Sequence, residues 1–284
     1  MTQILIGADP EVFVKGADGR HISAYGMVKG DKKNPFKVDK GAVQVDGMAL
    51  EFNIDPASTC EEFVDNIYSV MGTLQGMIDE EIDPVPVAEF GAEYMAQQPK
   101  EATEMGCEPD FDAWSGEANE RPDEKKDFRT GAGHIHIGWT TDADINSAEH
   151  KRDCIFITKA LDLLLYSLAP LWDDDTKRME LYGKMGAYRP KSYGLEYRVL
   201  SNAWLKSPVI TSFVYKLVTQ VIKQALEGTL NNVGGYPNTA YGECFRSRQR
   251  YVTTRDYFDN LGITLTEDLF NNYLEVVEVM RNEK

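Results

Sequence analysis

Short segments that alternate polar and apolar side chains constrain the fold of this chain more than any other feature. In a β-strand, residues i and i+2 share one face of the sheet. The segment GAGHIHIG places His134 and His136 on one face, and Ile135 and Ile137 on the other. The pattern therefore predicts a strand over 133–139, with the isoleucines in a core and the imidazoles facing a metal site, an anion site or ordinary hydrogen-bond partners.

The same alternation recurs in three other segments. Their polar pairs are Asp9 and Glu11 in GADPEVFV, Glu51 and Asn53 in MALEFNID, and Glu196 and Arg198 in SYGLEYRVL. Four amphipathic strands with one solvated side would be an ordinary alternative. The composition of the pairs favours a functional site, because the solvent-exposed face of a strand usually carries Lys, Thr and Ser rather than acids, histidines and arginine.

If these strands are neighbours, their carboxylates converge on one surface and repel one another unless cations lie between them. Oxygen-rich ligands with an imidazole suit Mg²⁺ or Mn²⁺ better than zinc or copper. A cupin is the rival interpretation of the HxH motif, but an acid about four residues after His136 would then be expected, and Ile, Gly, Trp, Thr and Thr follow instead.

Long helices accompany the strands. A capping box of Ser58 and Glu61 predicts a helix through about Ile78. Further helices are predicted from Asn146 or Ser147 to a point before Pro170, and over 173–184, 208–226 and 266–281. Strands mixed with long helices indicate an α+β fold with a curved, mostly antiparallel sheet and helices packed on one side.

The chain is expected to form a single domain over 1–284. Residues 80–130 are Pro-rich and acidic, with one short strand around Val85–Phe90, and are interpreted as a long insertion or lid. Within it, Trp114 and Gly116 mark a candidate cover for the site. Residues 207–284 are expected to form a helical C-terminal part.

Composition narrows the class of protein. The 284 residues are 42% hydrophobic and 27% charged, as in an ordinary globular protein. The net charge of −16 argues against non-specific nucleic-acid binding. We see no apolar run of roughly 18–20 residues that would span a membrane, and the start, MTQILIGADPE, lacks the basic region of a signal peptide. A cytoplasmic location is therefore expected.

Cysteines and basic residues add two further expectations. The cysteines are far apart and form no CxxC, so we expect reduced thiols rather than disulfides or a zinc ribbon: Cys60, Cys107, Cys154 and Cys244. Residues 177–206 hold seven basic and two acidic residues. A second cluster comprises Arg246, Arg248, Arg250 and Arg255. Such basic islands are solvated faces or mark a confined site for a small polyanion such as a nucleotide.

Taken in order along the chain, DPE, LEFN, GAGHIHIG and YRPKSYGLEYR resemble the motifs of the carboxylate–amine ligases of the glutamine synthetase and glutamate–cysteine ligase superfamily. The small phage-encoded amidoligase branch is the most similar. The resemblance covers residues 9–198, and its specific parts are the GxGxHxH motif and the later R…ExR. It implies a glutamine synthetase-like catalytic fold that holds two or three divalent ions, Mg²⁺ or Mn²⁺, and uses ATP.

By this resemblance, individual positions acquire expected roles. The implied metal ligands are Asp9, Glu11, Glu51, His134 and Glu196. The implied nucleotide contacts are His136, Arg198 and Arg189, and the implied catalytic residues are Arg198, Glu51 and Arg189. Asn53 stands where some relatives have an acid, which leaves the number of metals open.

The resemblance also implies an activity. Attack of a carboxylate on the γ-phosphate of ATP would give an acyl phosphate, from which an amine displaces phosphate to form an amide or peptide-like bond. The implied partners are small-molecule or peptide carboxylates and amines, with neither nucleic acid nor membrane. The alternative is a metal-binding relative without ligase activity, either a hydrolase or a structural or interaction protein of a phage.

Overall fold

The computed structural model describes residues 3–104, 110–121, 126–173, 175–230 and 265–282. Its strands are β1 Leu5–Ala8, β2 Glu11–Lys15, β3 His21–Ile22, β4 Phe36–Val38, β5 Gly41–Asp46, β6 Ala49–Ile54, β7 Glu81–Asp83, β8 Val87–Glu89, β9 Phe111–Asp112, β10 Phe128–Thr130, β11 Ile135–Gly138, β12 Ala187–Lys191 and β13 Gly194–Tyr197. Its α-helices are α1 Cys60–Gln75, α2 Ala92–Ala96, α3 Lys100–Thr103, α4 Ala148–Leu161, α5 Pro208–Leu226 and α6 Glu267–Asn282. Four shorter turns are a π-turn at Asp162–Tyr166 and 3₁₀ turns at Ala169–Leu171, Lys177–Glu180 and Asn202–Lys206.

Two antiparallel sheets carry the fold. One has the strand order β1-β11-β13-β12-β9, and the other has the order β3-β2-β6-β5-β4 with β7 also paired to β2. A separate two-stranded ribbon joins β8 to β10. The predicted α+β class with a curved antiparallel sheet is confirmed at this level.

The two sheets meet where the chain passes from β1 into β2. The Asp9 N–H donates to the carbonyl of His134 at 3.4 Å, and the Glu11 N–H donates to the carbonyl of Ala132 at 2.9 Å. These bonds continue the β1–β11 ladder past its last paired residues. On the other side, the Phe52 N–H donates to the Pro10 carbonyl at 3.1 Å. The segment Asp9–Glu11 therefore lies between both sheets, where its acids can face a common site.

Helices cover the apolar side of the strands. Ile135, Ile137 and Leu195 are fully buried, as the alternation predicted. They belong to one core together with α1, α4 and α5. Helix α6 packs on α5, with Tyr273 and Val276 buried. Because this side of the sheet is closed by helices, the polar side is the one left for chemistry.

Two helix starts follow from their capping residues. Ser147 caps α4 and accepts a hydrogen bond from the His150 N–H. Of the two predicted starts, Asn146 and Ser147, the second is therefore confirmed. Ser207 caps α5, whose first residue is Pro208. The predicted capping box of α1 is wrong by one residue. Thr59 accepts from the Glu62 N–H, and the Glu62 carboxylate in turn accepts from the Ser58 N–H. The helix also ends at Gln75 rather than near Ile78.

The predicted helix over 173–184 is wrong. Among the described residues of this range, the structure has only the 3₁₀ turn Lys177–Glu180. Arg178 is buried and donates to the carbonyls of Gly131 at 3.1 Å and Val199 at 2.7 Å. These long-range hydrogen bonds connect the turn to the residues that follow β10 and β13. Gly183, with a φ of 73°, has a left-handed backbone conformation that does not continue a helix.

The 80–130 region contains more structure than the single strand that was predicted. The predicted strand near Val85–Phe90 is β8, and β7, β9, β10, α2 and α3 lie in the same region. Strand β7 extends the second sheet and β9 extends the first. The region therefore packs against both sheets, and its role as a lid stays a prediction.

Several expectations fall on residues that the structure does not describe. Cys107, Cys244 and the arginine cluster from Arg246 to Arg255 lie outside the described residues. Of the helical C-terminal part, α5 and α6 are described.

The segment Ala148–Leu171 is long and apolar enough, by length and composition alone, to cross a membrane. Buried residues make up 61% of its most apolar window. A core helix of a globular domain has the same properties, because it is surrounded by other elements of the fold.

Candidate active site

The polar pairs of three strands lie side by side. In the registers of β11, β13 and β12, His136 is opposite Glu196, and Glu196 is opposite Arg189. His134 and Arg198 are each two residues along the same faces, and their side chains meet at 3.4 Å. The period of two residues thus places both histidines, the glutamate and both arginines on one side of the first sheet.

Asp9 joins this group from the junction between the sheets. Its Oδ2 lies 3.1 Å from His136 Nε2, and its Oδ1 lies 3.5 Å from His134 Nδ1. One ligand atom each from Asp9, His136 and Glu196 lies within 4.8 Å of the others. We call this set the histidine cluster. His134 borders it, with Nδ1 at 3.6 Å from Glu196 Oε1.

Glu196 is the most enclosed member, with 1% of its side chain exposed, and several cations surround it. Arg189 Nη1 lies 3.1 Å and Lys191 Nζ 3.0 Å from Glu196 Oε2. Arg198 Nη1 donates to Glu196 Oε1. Three of the seven basic residues of 177–206 line the cavity beside it, namely Arg178, Arg189 and Arg198. The basic island of the sequence is thus part of a confined site.

A second group of acids lies on the other sheet. Glu11 is directly opposite Glu51 in the β2–β6 ladder. One oxygen each from Glu11, Asp46 and Glu51 lies within 4.8 Å of the others. We call this set the carboxylate cluster. Lys32 Nζ approaches it from a loop, at 2.7 Å from Asp46 Oδ2.

The two clusters differ in their electrostatics. Burial, together with the charge of Asp46, raises the pKa of Glu11 to about 7. Burial and the neighbouring charges of Asp9 and Glu11 raise the pKa of Glu51 well above its ordinary value. Carboxylates behave in this way when they are buried and other acids lie close to them.

In the histidine cluster, neighbouring imidazoles and arginines lower the pKa values of the carboxylates instead of leaving them raised. Although burial and Asp9 would raise it, the charges of Arg198 and His134 lower the pKa of Glu196 to about 2. Burial alone would raise the pKa of Asp9, but both histidines lower it below its ordinary value. The pKa of His136 is raised because Asp9 outweighs burial, whereas burial and Arg198 lower the pKa of His134.

These donor sets fit divalent cations. The carboxylate cluster offers only oxygen atoms, which suits Mg²⁺ or Mn²⁺. The histidine cluster adds one imidazole to two carboxylates. Tyr193 Oη is hydrogen-bonded to His136 Nδ1 and thereby leaves Nε2 directed at Asp9. Such a partner on the second ring nitrogen is the usual support of a metal-ligating histidine.

Both clusters border one cavity of about 330 Å³. Its wall includes Asp9, Glu11, Asp46 and Glu51 from one sheet and the junction, and His134, Arg189, Glu196 and Arg198 from the other. The 80–130 region contributes Ala102, Glu104 and Arg129. Acids and arginines thus surround a small polar volume, an arrangement suited to phosphate and carboxylate groups with bound cations.

The candidate site residues from the sequence line this cavity, except His136, which contacts the lining residue Asp9. Four of the five predicted metal ligands divide between the two clusters, Asp9 and Glu196 in one and Glu11 and Glu51 in the other, whereas His134 only borders the histidine cluster. His136, predicted as a nucleotide contact, lies in the histidine cluster. Asn53 does not line the cavity. The individual roles of these residues stay predictions.

Sequence reasoning missed four site residues, Asp46, Gln44, Asp110 and Tyr193. Gln44 and Asp46 form one more polar pair at i and i+2, in AVQVDG, so the alternation that revealed the other pairs could have revealed this one. Gln44 is opposite Glu51 in the β5–β6 ladder. Asp110 and Asp112 flank Phe111 in a further pair at i and i+2, whereas Tyr193 lies in the turn between β12 and β13 without such a pattern.

Comparison with known proteins supports the predicted class. Residues 123–241 match the family model described as "Phage phiEco32-like COOH.NH2 ligase-type 2". This region includes GAGHIHIG and the strands β12 and β13, but less than half of the chain. No curated protein matches the chain.

A crystal structure of a bifunctional glutathione synthetase from Pasteurella multocida has a similar fold, with a TM-score of 0.52 and 12% sequence identity. The alignment covers 98% of this chain and 47% of that chain, so this chain spans about half the length of the protein it resembles. At this identity the likeness concerns the fold alone. The family match and the shared fold together support the predicted enzyme class, an ATP-dependent carbon–nitrogen ligase.

Proposed function

We propose that this chain joins a carboxylate to an amine at the expense of ATP, through an acyl-phosphate intermediate, on a glutamine synthetase-like fold. One observation carries the proposal: two clusters of metal-ligand side chains border the same small cavity, together with Arg189 and Arg198. Ligases of this kind activate a poor electrophile by phosphorylating it, so they need a site that neutralises phosphate and carboxylate charge at once.

In this scheme, an oxygen of the acid substrate attacks the γ-phosphorus of ATP and ADP leaves. The amine nitrogen then attacks the acyl carbon, the carbon–oxygen bond to phosphate breaks, and an amide, phosphate and a proton result. Divalent ions held by Asp9, Glu11, Glu51 and Glu196 would supply charge neutralisation of the phosphates.

The arginines contribute what their geometry allows. The planar guanidinium of Arg198 offers a fixed donor fork to phosphoryl oxygens. Glu196 accepts a hydrogen bond from one edge of that fork, which restricts the orientation of Arg198 before the substrates arrive. Arg189 reaches the same glutamate from the adjacent strand. The acyl phosphate must be protected from water, and the 80–130 residues in the cavity wall are suited to this protection.

A screen of ADP release tests the proposal. Purified protein is supplied with Mg²⁺ or Mn²⁺, ATP and a panel of amino acids, peptides and amines, and ADP is measured by a coupled assay. We expect ADP release that requires both an acid and an amine. Glu11→Gln combined with Glu196→Gln should abolish it.

The acyl phosphate has its own signature. If the acid substrate carries a heavy-oxygen label in its carboxylate, one labelled oxygen should appear in the released phosphate. Absence of ADP release in protein that still binds Mg²⁺ and ATP would contradict the ligase proposal and favour a metal-binding relative without this activity. Release without label transfer would contradict the acyl-phosphate step alone.

A further inference from the structure

Arg198 is held by two acids that come from different parts of the chain. Glu196, two residues away on the same strand, accepts from Nη1. Asp110 accepts from Nε at 2.9 Å. Both side chains of this second pair are largely enclosed, with 7% of Arg198 and 13% of Asp110 exposed. Two bonds on different nitrogens determine the plane of the guanidinium, which a single bond would leave free to turn.

Asp110 reaches the site at the start of a very short edge strand. Strand β9 has only the residues Phe111 and Asp112, which pair with Tyr188 and Ala187 of β12. The Ala113 N–H donates to the Gly186 carbonyl at 2.9 Å. Two paired residues at a sheet edge add little stability by themselves. A further contact from a side chain of this segment reaches the core beside β12.

That contact is a buried carboxylate. Trp114 Nε1 donates to Asp162 Oδ2 at 2.6 Å, and Tyr197 Oη donates to Asp162 Oδ1 at 2.8 Å. Asp162 is 2% exposed and begins the π-turn at the end of α4. Tyr197 lies between Glu196 and Arg198 in the sequence, on the opposite face of the strand. One side chain thus links the segment that carries Asp110 to the strand that carries Arg198.

The backbone immediately before β12 is adapted to this docking. Gly186 has a φ of 88°, and a Cβ there would lie 2.1 Å from Asp112 Oδ1 and 2.8 Å from Trp114 Cδ1. Only glycine permits the approach. Lys159 also lies over the Trp114 ring, at 5.0 Å from its centroid. The fit on both sides of Trp114 indicates a specific docking rather than a loose surface contact.

We propose that Asp110 is a positioning residue for Arg198, and that the hydrogen bond from Trp114 to Asp162 anchors the segment that delivers it. The inference rests on the proposed function for what Arg198 does in the reaction. The inference assigns a role to part of the 80–130 region, because Asp110 of that region would set the orientation of Arg198, the proposed phosphate-binding arginine.

Substitutions along this chain of contacts test the inference. Asp110→Ala should lower kcat by about a hundredfold, the size expected for a misplaced group in the transition state, with a much smaller change in KM for ATP. Asp110→Asn keeps an oxygen acceptor for Nε and should recover part of the loss. Trp114→Phe keeps the ring over Lys159 but removes the N–H donor, so it should lower kcat in the same direction.

The double variant separates positioning from independent damage. If Trp114 acts through Asp110, adding Trp114→Phe to Asp110→Ala should cost little more than Asp110→Ala alone. Glu117→Gln is the matched control, since it changes an exposed acid in the same segment, and its kcat should equal that of the parent. Fully multiplicative losses, or parent-like kcat in folded Asp110→Ala, would overturn the inference.

A structural measurement distinguishes this inference from the proposed function. Crystal structures of Asp110→Ala and Trp114→Phe should show the Arg198 guanidinium turned away from its parent orientation. An unchanged Arg198 in both variants would overturn the positioning role, whatever the activity. A parent protein that releases no ADP would overturn the proposed function, while the orientation of Arg198 would still decide the positioning claim.

Discussion

The carboxyl group of Asp162 makes a sharp prediction about stability and pH. It is buried below Trp114 and Tyr197, and burial raises its pKa from 3.8 to about 7, although hydrogen bonds from both residues oppose the shift. The Gly186 N–H also opposes the shift, and the charge of Asp112 adds to it. The folded protein therefore retains a proton at Asp162 over a pH range in which the unfolded chain has lost it.

The sign of the effect follows from this difference in proton binding. A raised pKa in the folded state gives stability that is fully present below the unfolded pKa and is lost as pH rises through the folded pKa. Between about pH 5 and about pH 7, each pH unit removes about 1.4 kcal/mol of this contribution. The free energy of unfolding should therefore fall by about 3 kcal/mol between about pH 5 and about pH 8 because of Asp162 alone.

Asp162→Asn removes the titration and leaves a similar shape. The amide oxygen can still accept one hydrogen bond, but its NH₂ group faces a donor, so the variant carries a pH-independent cost of about 1–3 kcal/mol. At about pH 5 the parent should be clearly more stable than the variant. At about pH 8 the difference should shrink by about 3 kcal/mol and can change sign.

The assay is urea unfolding of both proteins at three pH values, followed by circular dichroism. Other groups with raised pKa values, such as Glu11, titrate in both proteins, so their effect cancels when the two free energies are subtracted. A parent–variant difference that stays constant across this pH range would refute the argument that Asp162 is buried in its protonated form.

Other predictions concern the site itself. Glu51→Gln should reduce the gain in melting temperature on adding Mg²⁺ or Mn²⁺, since one carboxylate ligand is lost; an undiminished gain would contradict the carboxylate cluster. His136→Ala should lower apparent metal affinity by an order of magnitude or more in a titration, because its imidazole lies with Asp9 and Glu196. Arg198→Lys should reduce kcat more than it raises KM for ATP in the ADP-release assay, as expected when a planar fork is replaced by a point charge. Cys154→Ala should cost stability in a melting experiment but leave turnover per folded molecule unchanged, because that thiol is buried in the core.

The alternation of side chains in the sequence predicts some residues of this site, whereas the packing of the strands determines the others. The polar pairs at His134 and His136, and at Glu196 and Arg198, were predictable because side chains of a strand alternate whatever lies around it. The same reasoning placed Ile135 in the core and, with the capping preference of Ser147, located α4. The same alternation marks Gln44 and Asp46 in AVQVDG.

Strand order and register are not local properties, and only the tertiary structure decided them. The opposition of Glu11 to Glu51, and of His136 to Glu196, depends on which strands become neighbours and by how many residues they are shifted.

By itself, the sequence determined the alternating strands, most of the long helices and the residue types available for metal and phosphate. Tertiary contacts decided which of those residues meet. Asp110 shows the limit most clearly, since its alternation with Phe111 and Asp112 indicates a strand but not that its carboxylate reaches Arg198. Likewise, the single turn at Arg178 replaced a predicted helix because its guanidinium bonds to carbonyls of distant strands. Long-range hydrogen bonds of this kind depend on the packed fold, and no local periodicity encodes them.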